Sequence, residues 1–188
     1  MRTRKPLIGY FLALLSVMLL PGACRAEAVI DRGGSIEGFG KLTWGISTEQ
    51  AEKAYPDLNF RGYEIENSKE EPIKIYYRKT APEKFVGVAF DSFEYGFKGD
   101  RFFKIRASLQ SKFGPRTLVT RAETSWNRLA EYLVRKFGAP KEHSTHYVTE
   151  YLVVVKEMRW EIGGVFIRLN YRGPERADED QLIFEIGK

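Results

Sequence analysis

The chain has 188 residues, 43% of them hydrophobic, which is enough for one domain with a real core. It has one cysteine and two histidines, so neither a disulfide framework nor a cysteine-rich metal module can be built from it. Its formal charge of +5 is no sign of nucleic-acid binding, because the basic excess sits mainly in the first segment.

That first segment reads as an export signal. Arg2, Arg4 and Lys5 precede an apolar run from Leu7 to Leu20, the length of a signal-peptide core and short for a membrane span. Residues 1–26 contain four basic residues and no acidic one, so about +1 remains on the rest of the chain. Cleavage after Ala26 or after Ala28 satisfies the small-x-small rule. Gly22-Ala23-Cys24 also matches the end of a bacterial lipoprotein box, with Pro21 where that box takes Leu. Cys24 is therefore either a lipidation site or discarded with the signal.

Residues 27–40, rich in glycine, are expected to form a flexible tether, and the domain proper spans 41–188. Ser47 and Gln50 form a capping box, opening a short helix over about 47–55 that ends at Tyr55-Pro56. Strand-like runs follow. Leu58, Phe60 and Gly62 alternate weakly before a charged loop from Glu64 to Pro72. Ile73, Ile75 and Tyr77 alternate cleanly. Val86, Val88 and Phe90 alternate on one parity and Phe93, Tyr95 and Phe97 on the other, predicting a bulge or break at Asp91-Ser92. A three-residue loop at Lys98-Gly99-Asp100 would set Tyr95 opposite Phe103 and Phe93 opposite Ile105.

A long helix is predicted over about 121–137. Trp126, Leu129, Ala130, Leu133, Val134 and Phe137 repeat at the i, i+3, i+4, i+7 spacing of one face. Thr120 and Glu123 read as a capping box, and Gly138 with Pro140 ends the helix. Beyond it, Gly163-Gly164 predicts a two-residue hairpin pairing Ile162 with Val165, Trp160 with Ile167 and Met158 with Leu169. Leu182, Phe184 and Ile186 make a last strand. The expected fold class is α+β, a mainly antiparallel sheet packed against two helices, and the order of elements fits two α-then-β halves.

Chemistry is scarce. His143 and His146 lie on opposite faces if their run is a strand, so no metal site is nominated. Ser108, Ser111 and Ser125 occupy no Gly-x-Ser-x-Gly elbow, and no phosphate-cradling glycine loop precedes a helix, so no catalytic or cofactor residue is nominated either. The most informative polar feature is Arg159 opposite Arg168 in the predicted hairpin. Like charges directly across strands are unfavourable, which makes the pair a candidate anion or partner contact unless Glu157 and Glu161 neutralise it.

The run Leu42-Thr43-Trp44-Gly45-Ile46-Ser47-Thr48-Glu49-Gln50-Ala51 resembles the helix start of small periplasmic SmpA/BamE-like domains. The β-lactamase-inhibitor protein repeats that architecture in tandem. Those domains follow the helix with a Gly-x-Pro turn, where this chain has Tyr55-Pro56. The resemblance implies a non-enzymatic envelope protein that works through protein contacts, and it transfers no functional residue. The expectation is therefore a periplasmic or secreted interaction module whose partner is another envelope protein. It would touch a membrane only through its signal or a lipid on Cys24. The alternatives are a binder of a small ligand between sheet and helix, and an unrecognised hydrolase.

Overall fold

The structure is a computed structural model. It describes residues 28–30, 36–66, 69, 71–78, 84–112, 120–148, 153–173 and 179–188. The leader and Cys24 lie outside these, as do the expected turns at 80–83 and 113–115. The elements run β1 (Ala28–Ile30), β2 (Ile36–Phe39), β3 (Leu42–Thr43), α1 (Thr48–Ala54), β4 (Leu58–Glu64), β5 (Ile73–Arg78), β6 (Lys84–Phe85), β7 (Val88–Ala89), β8 (Ser92–Lys98) and β9 (Arg101–Lys112). Then follow α2 (Arg121–Phe137), β10 (Glu142–Val148), β11 (Val153–Ile162), β12 (Val165–Arg172) and β13 (Glu179–Gly187).

Eight strands form one antiparallel sheet in the order β10-β11-β12-β13-β9-β8-β5-β4. Each helix is followed by a four-stranded meander, and the two meanders join through their last strands, β9 and β13. The α+β class and the two α-then-β halves are both visible in this order. Within the stretch expected as a tether, β1 and β2 pair with each other and β2 pairs with β3. Ile36 and Phe39 are buried, so part of this glycine-rich run is core.

Pleating sorts the sheet into two unlike faces. One row across seven strands is apolar: Phe60, Tyr76, Tyr95, Ile105, Ile186, Ile167 and Trp160 pair in sequence from β4 to β11. α2 covers this face over β9, β11, β12 and β13. Its Trp126, Leu129 and Leu133 are buried as the spacing predicts, with Ala122 beside them, while Val134, assigned to the stripe, is 40% exposed at its margin. Trp160 Nε1 donates to Gly138 O at 3.0 Å and ties the end of the helix to the sheet. An aromatic cluster of Phe39, Phe85, Phe90, Phe93 and Phe184 fills the remaining space, with Phe85 stacked on Phe184 at 4.7 Å. Burial of such rings is the main source of stabilisation in a chain of this size.

Several local expectations hold and several fail for identifiable reasons. The Ser47–Gln50 capping box forms in full. At α2 only half forms: Thr120 Oγ1 accepts from Glu123 N, while the Glu123 carboxylate turns to Lys156 at 3.5 Å. The Gly163-Gly164 hairpin has the expected register, including Arg159 opposite Arg168. The Gly99 hairpin does not. Its turn is two residues long, Lys98 pairs with Arg101, and a bulge between Gly96 and Phe97 puts Tyr95 opposite Ile105 and Phe93 opposite Ala107. The break near Asp91 arises because Lys84–Phe85 and Val88–Ala89 form a separate hairpin instead of one strand.

Candidate functional site

The opposite face of the sheet is charged. Along the register adjoining the apolar row stand Glu94, Arg106, Glu185, Arg168, Arg159 and Glu142, alternating in sign except at the two opposed arginines. Arg168 lies 3.2 Å from Glu157 and 3.8 Å from Glu185, and Arg159 lies 3.1 Å from Glu161 and 3.9 Å from Glu142. The carboxylates on both sides thus neutralise the like-charge contact that the sequence places there. The pair is a join in a ladder of ion pairs.

The centre of this face is Lys104. It is 1% exposed, yet its ammonium meets Glu66, lies 3.1 Å from Glu64 and 3.7 Å from Glu185. The contact with Glu64 Oε2 is off the line of a hydrogen bond and is therefore mainly electrostatic. Glu64 and Glu66 belong to the β4 edge, three strands away from β9, or about 14 Å at ordinary strand spacing. The reach is possible because Gly96 on β8 has no side chain between them: a Cβ there would stand 2.7 Å from Lys104 Cγ. Gly187 on β13 makes the same room on the other side, 2.9 Å from Lys104 Cβ. Arg106 adds a second tie to Glu64 at 2.9 Å. Burial alone would raise the Glu64 carboxyl; the hydrogen bond from Arg106 and the nearby ammonium of Lys104 outweigh it and hold that carboxyl below its usual value.

These ties shape the β4 edge. A bulge between Phe60 and Gly62 changes the strand's parity, so Gly62 and Glu64 turn to the charged face. Glu64 is thus the end of a strand and not the start of the charged loop that the sequence suggests. Phe60 and Tyr63 both fall on the apolar-row side, their rings 5.2 Å apart. Phe60 is 50%, Tyr63 63% and Ile65 67% exposed. The other sheet end, β10, exposes Tyr147 and Val148, so five of the six large exposed hydrophobics among the described residues lie at the two edges. No described strand pairs with the outer side of β4 or of β10.

A third polar centre joins α2 to the sheet. Asp180 is 2% exposed and accepts hydrogen bonds from Ser111 Oγ, Thr120 Oγ1 and, at 3.2 Å, the Tyr171 hydroxyl. Ser111 Oγ in turn accepts from Ala122 N at 3.1 Å. Burial, and then the charge of Asp180, push the Tyr171 hydroxyl far above its ordinary value, so it stays protonated and donates. Among the described residues Ser111 Oγ bonds only Asp180 and the Ala122 amide, so this cluster orients the helix start. His143 and His146 are exposed on β10, opposite Met158 and Val155. Their pairing partners differ in parity, which puts the two rings on opposite faces.

Sequence reasoning did not find Lys104 or Asp180. Both read as ordinary polar positions of alternating strands, and only the register that places Gly96 and Gly187 beside Lys104 reveals a buried cation. Compared with protein-family models, curated proteins and solved structures, the chain finds no match.

Proposed function

We propose that this chain is a non-enzymatic, exported interaction module of the cell envelope, and that its partner protein docks on the β4 edge of the sheet. The observation that carries this reading is the exposed Phe60, Tyr63 and Ile65 group on an outermost strand. Aromatic anchors of this kind dominate the binding energy of many interfaces. Lys104 and Arg106 hold the same strand from behind, so the edge is ordered before it meets a partner and loses little freedom on binding. The bulge and the exposed Arg61 discourage simple strand addition. Contact through side chains on the apolar-row side fits better. Export rests on the basic, apolar and small-residue succession of residues 1–26.

A photocrosslinking residue at Tyr63, expressed in the native envelope, should give one specific protein adduct, and the same residue at Tyr147 should not. Phe60→Ser together with Ile65→Ser should abolish the adduct without lowering the thermal midpoint, because exposed substitutions of this type usually change stability by less than about 0.5 kcal/mol. Equal labelling from both edges, or none from Tyr63, would remove the proposal. Mass spectrometry of the mature N-terminus separates a lipidated Cys24 from a free Glu27.

A further inference from the structure

We propose that the cleft between the tip of the β6–β7 hairpin and α2 binds a phosphate group, carried by free phosphate or by a small phosphate monoester. This site is remote in sequence from the β4 edge and stands independently of the docking reading above. Arg121, Thr124, Ser125 and Arg128 recur at the i, i+3, i+4, i+7 spacing and line one wall. Gly87, Val88 and Ala89 form the other. The cleft between them holds about 480 Å³, inside the range of about 300–1,000 Å³ usual for small-molecule sites.

The decisive residue is Ser125. It is 8% exposed, lines the cleft, and its hydroxyl has no hydrogen-bond partner among the described residues. A serine inside a helix ordinarily returns its proton to the carbonyl one turn back. Its neighbour Thr124 does so, donating to Thr120 O at 2.9 Å. Ser125 does not, so a nearly buried donor is left facing the cavity, where a ligand oxygen would satisfy it.

The charges around it select the ligand. Among the described residues Arg128 donates only to Gly87 O, at 3.4 Å, the outer limit of a hydrogen bond, so most of its donors have no described partner. Arg121 uses one nitrogen on Asp91 and keeps the rest of its fork. Asp91 is thus the one carboxylate bonded to the pair among the described residues, and the described lining keeps a positive balance. The start of α2 adds a favourable field, although the amides of Ala122 and Glu123 are already taken by Ser111 and Thr120. Two guanidinium forks and a hydroxyl along one wall offer more donors than the two oxygens of a carboxylate can take, which suits a tetrahedral oxyanion with several free oxygens. Val88 and Ala89 offer an apolar wall to whatever the phosphate carries. The hairpin tip that brings them there is strained. Val86 and Gly87 take φ of 53° and 74° in succession, and a β-branched residue rarely adopts that backbone.

The test is a titration of the isotopically labelled mature protein, followed by NMR, with phenyl phosphate, inorganic phosphate and benzoate in separate arms. Saturable shifts concentrated at residues 86–89 and 120–128, stronger with either phosphate than with benzoate, are expected. Phenyl phosphate binding more tightly than inorganic phosphate assigns a monoester, and equal binding assigns free phosphate. Arg128→Ala should weaken binding by about ten-fold or more, the usual loss for a charge-assisted hydrogen bond. Ser125→Ala should weaken it several-fold while leaving the thermal midpoint unchanged, and Arg159→Ala should leave it alone. Three results would each overturn the site: benzoate matching the phosphates, shifts centred elsewhere, or phosphate affinity unmoved by Arg128→Ala. Association with phosphatidylglycerol vesicles in the absence of any response to soluble phosphate would overturn it too.

Discussion

The two meanders are built to one plan and finish differently. β10 closes one end of the sheet with every residue except Ser144 exposed, and among the described residues the ion pairs that cross from it or its lead-in to β11, Glu142–Arg159 and Lys141–Glu161, lie at the surface. β4 closes the other end with an aromatic group outside and, behind it, two carboxylates drawn across two strands to a buried lysine. Surface ion pairs are worth about 0–1 kcal/mol, whereas breaking a buried pair costs about 3–5 kcal/mol. The lesson is that topology alone does not determine how firmly a sheet edge is held. Here one edge is free to fray and the other is fastened from the middle of the sheet.

The strongest way to break this contrast is Lys104→Ala. It leaves Glu185, 7% exposed in its side chain, without its ammonium and opens space between Gly96 and Gly187. The expected loss is about 3–5 kcal/mol, toward the lower figure because Glu64 and Glu66 can turn to water. Chemical denaturation measures it. Hydrogen exchange then asks the sharper question: β4 amides should lose far more protection than β10 amides. Equal loss at both edges would mean that the fastening is imaginary.

Asp180→Ala comes next, at about 2–3 kcal/mol. Three donors lose one buried acceptor, and Thr120 and Ser111, which also cap the first turn of α2, lose their orientation. This change weakens the junction of the halves and not an edge, so exchange should rise at residues 120–125 with β4 still protected. A β4 response would show that the two centres are coupled.

Why these centres escaped the sequence is instructive. α2 was legible because one stripe and two terminal signals agree, from Thr120 to Gly138. The Gly163-Gly164 hairpin was legible because two glycines dictate a tight turn and the register follows. The Gly99 hairpin and the β4 strand each contain a bulge, at Gly96 and at Phe60–Gly62, and a bulge answers to packing far along the chain. With the register moved by two residues along β9, Lys104 stands opposite Gly96 and not opposite Glu94, and the way to the β4 edge is open. The arginine pair shows the converse: its register follows from the turn, and its nearest carboxylates, Glu157 and Glu161, lie within the same hairpin, while the longer contacts with Glu142 and Glu185 come from the strands on either side. The cleft on α2 was invisible for the same reason, since half of it comes from a hairpin that reads as one continuous strand.

Acid should act on the fastened edge first. The folded Glu64 carboxyl lies below its unfolded value of 4.5, held down by Arg106 and Lys104 against the opposing effect of burial. Its contribution is therefore present above pH 4.5 and disappears as pH falls through the lower folded value. Glu64→Gln should be less stable than the parent at neutral pH, and the gap in thermal midpoint should narrow below pH 4.5. A gap that is constant with pH would separate Glu64 from the ion network.

The smallest effect is expected at the opposite end. Arg159→Ala removes contacts with Glu142 and Glu161, both well exposed, and also removes the repulsion from Arg168 directly across the strands. The two terms oppose each other, so the net change should stay within about 0.5 kcal/mol. Arg168→Ala is less balanced, because its partner Glu185 is nearly buried and is shared with Lys104 and Arg106. If the Arg159 change alone cost as much as a buried pair, β10 would be fastened after all, and the difference between the two edges would have to lie in their aromatic residues and not in their charges.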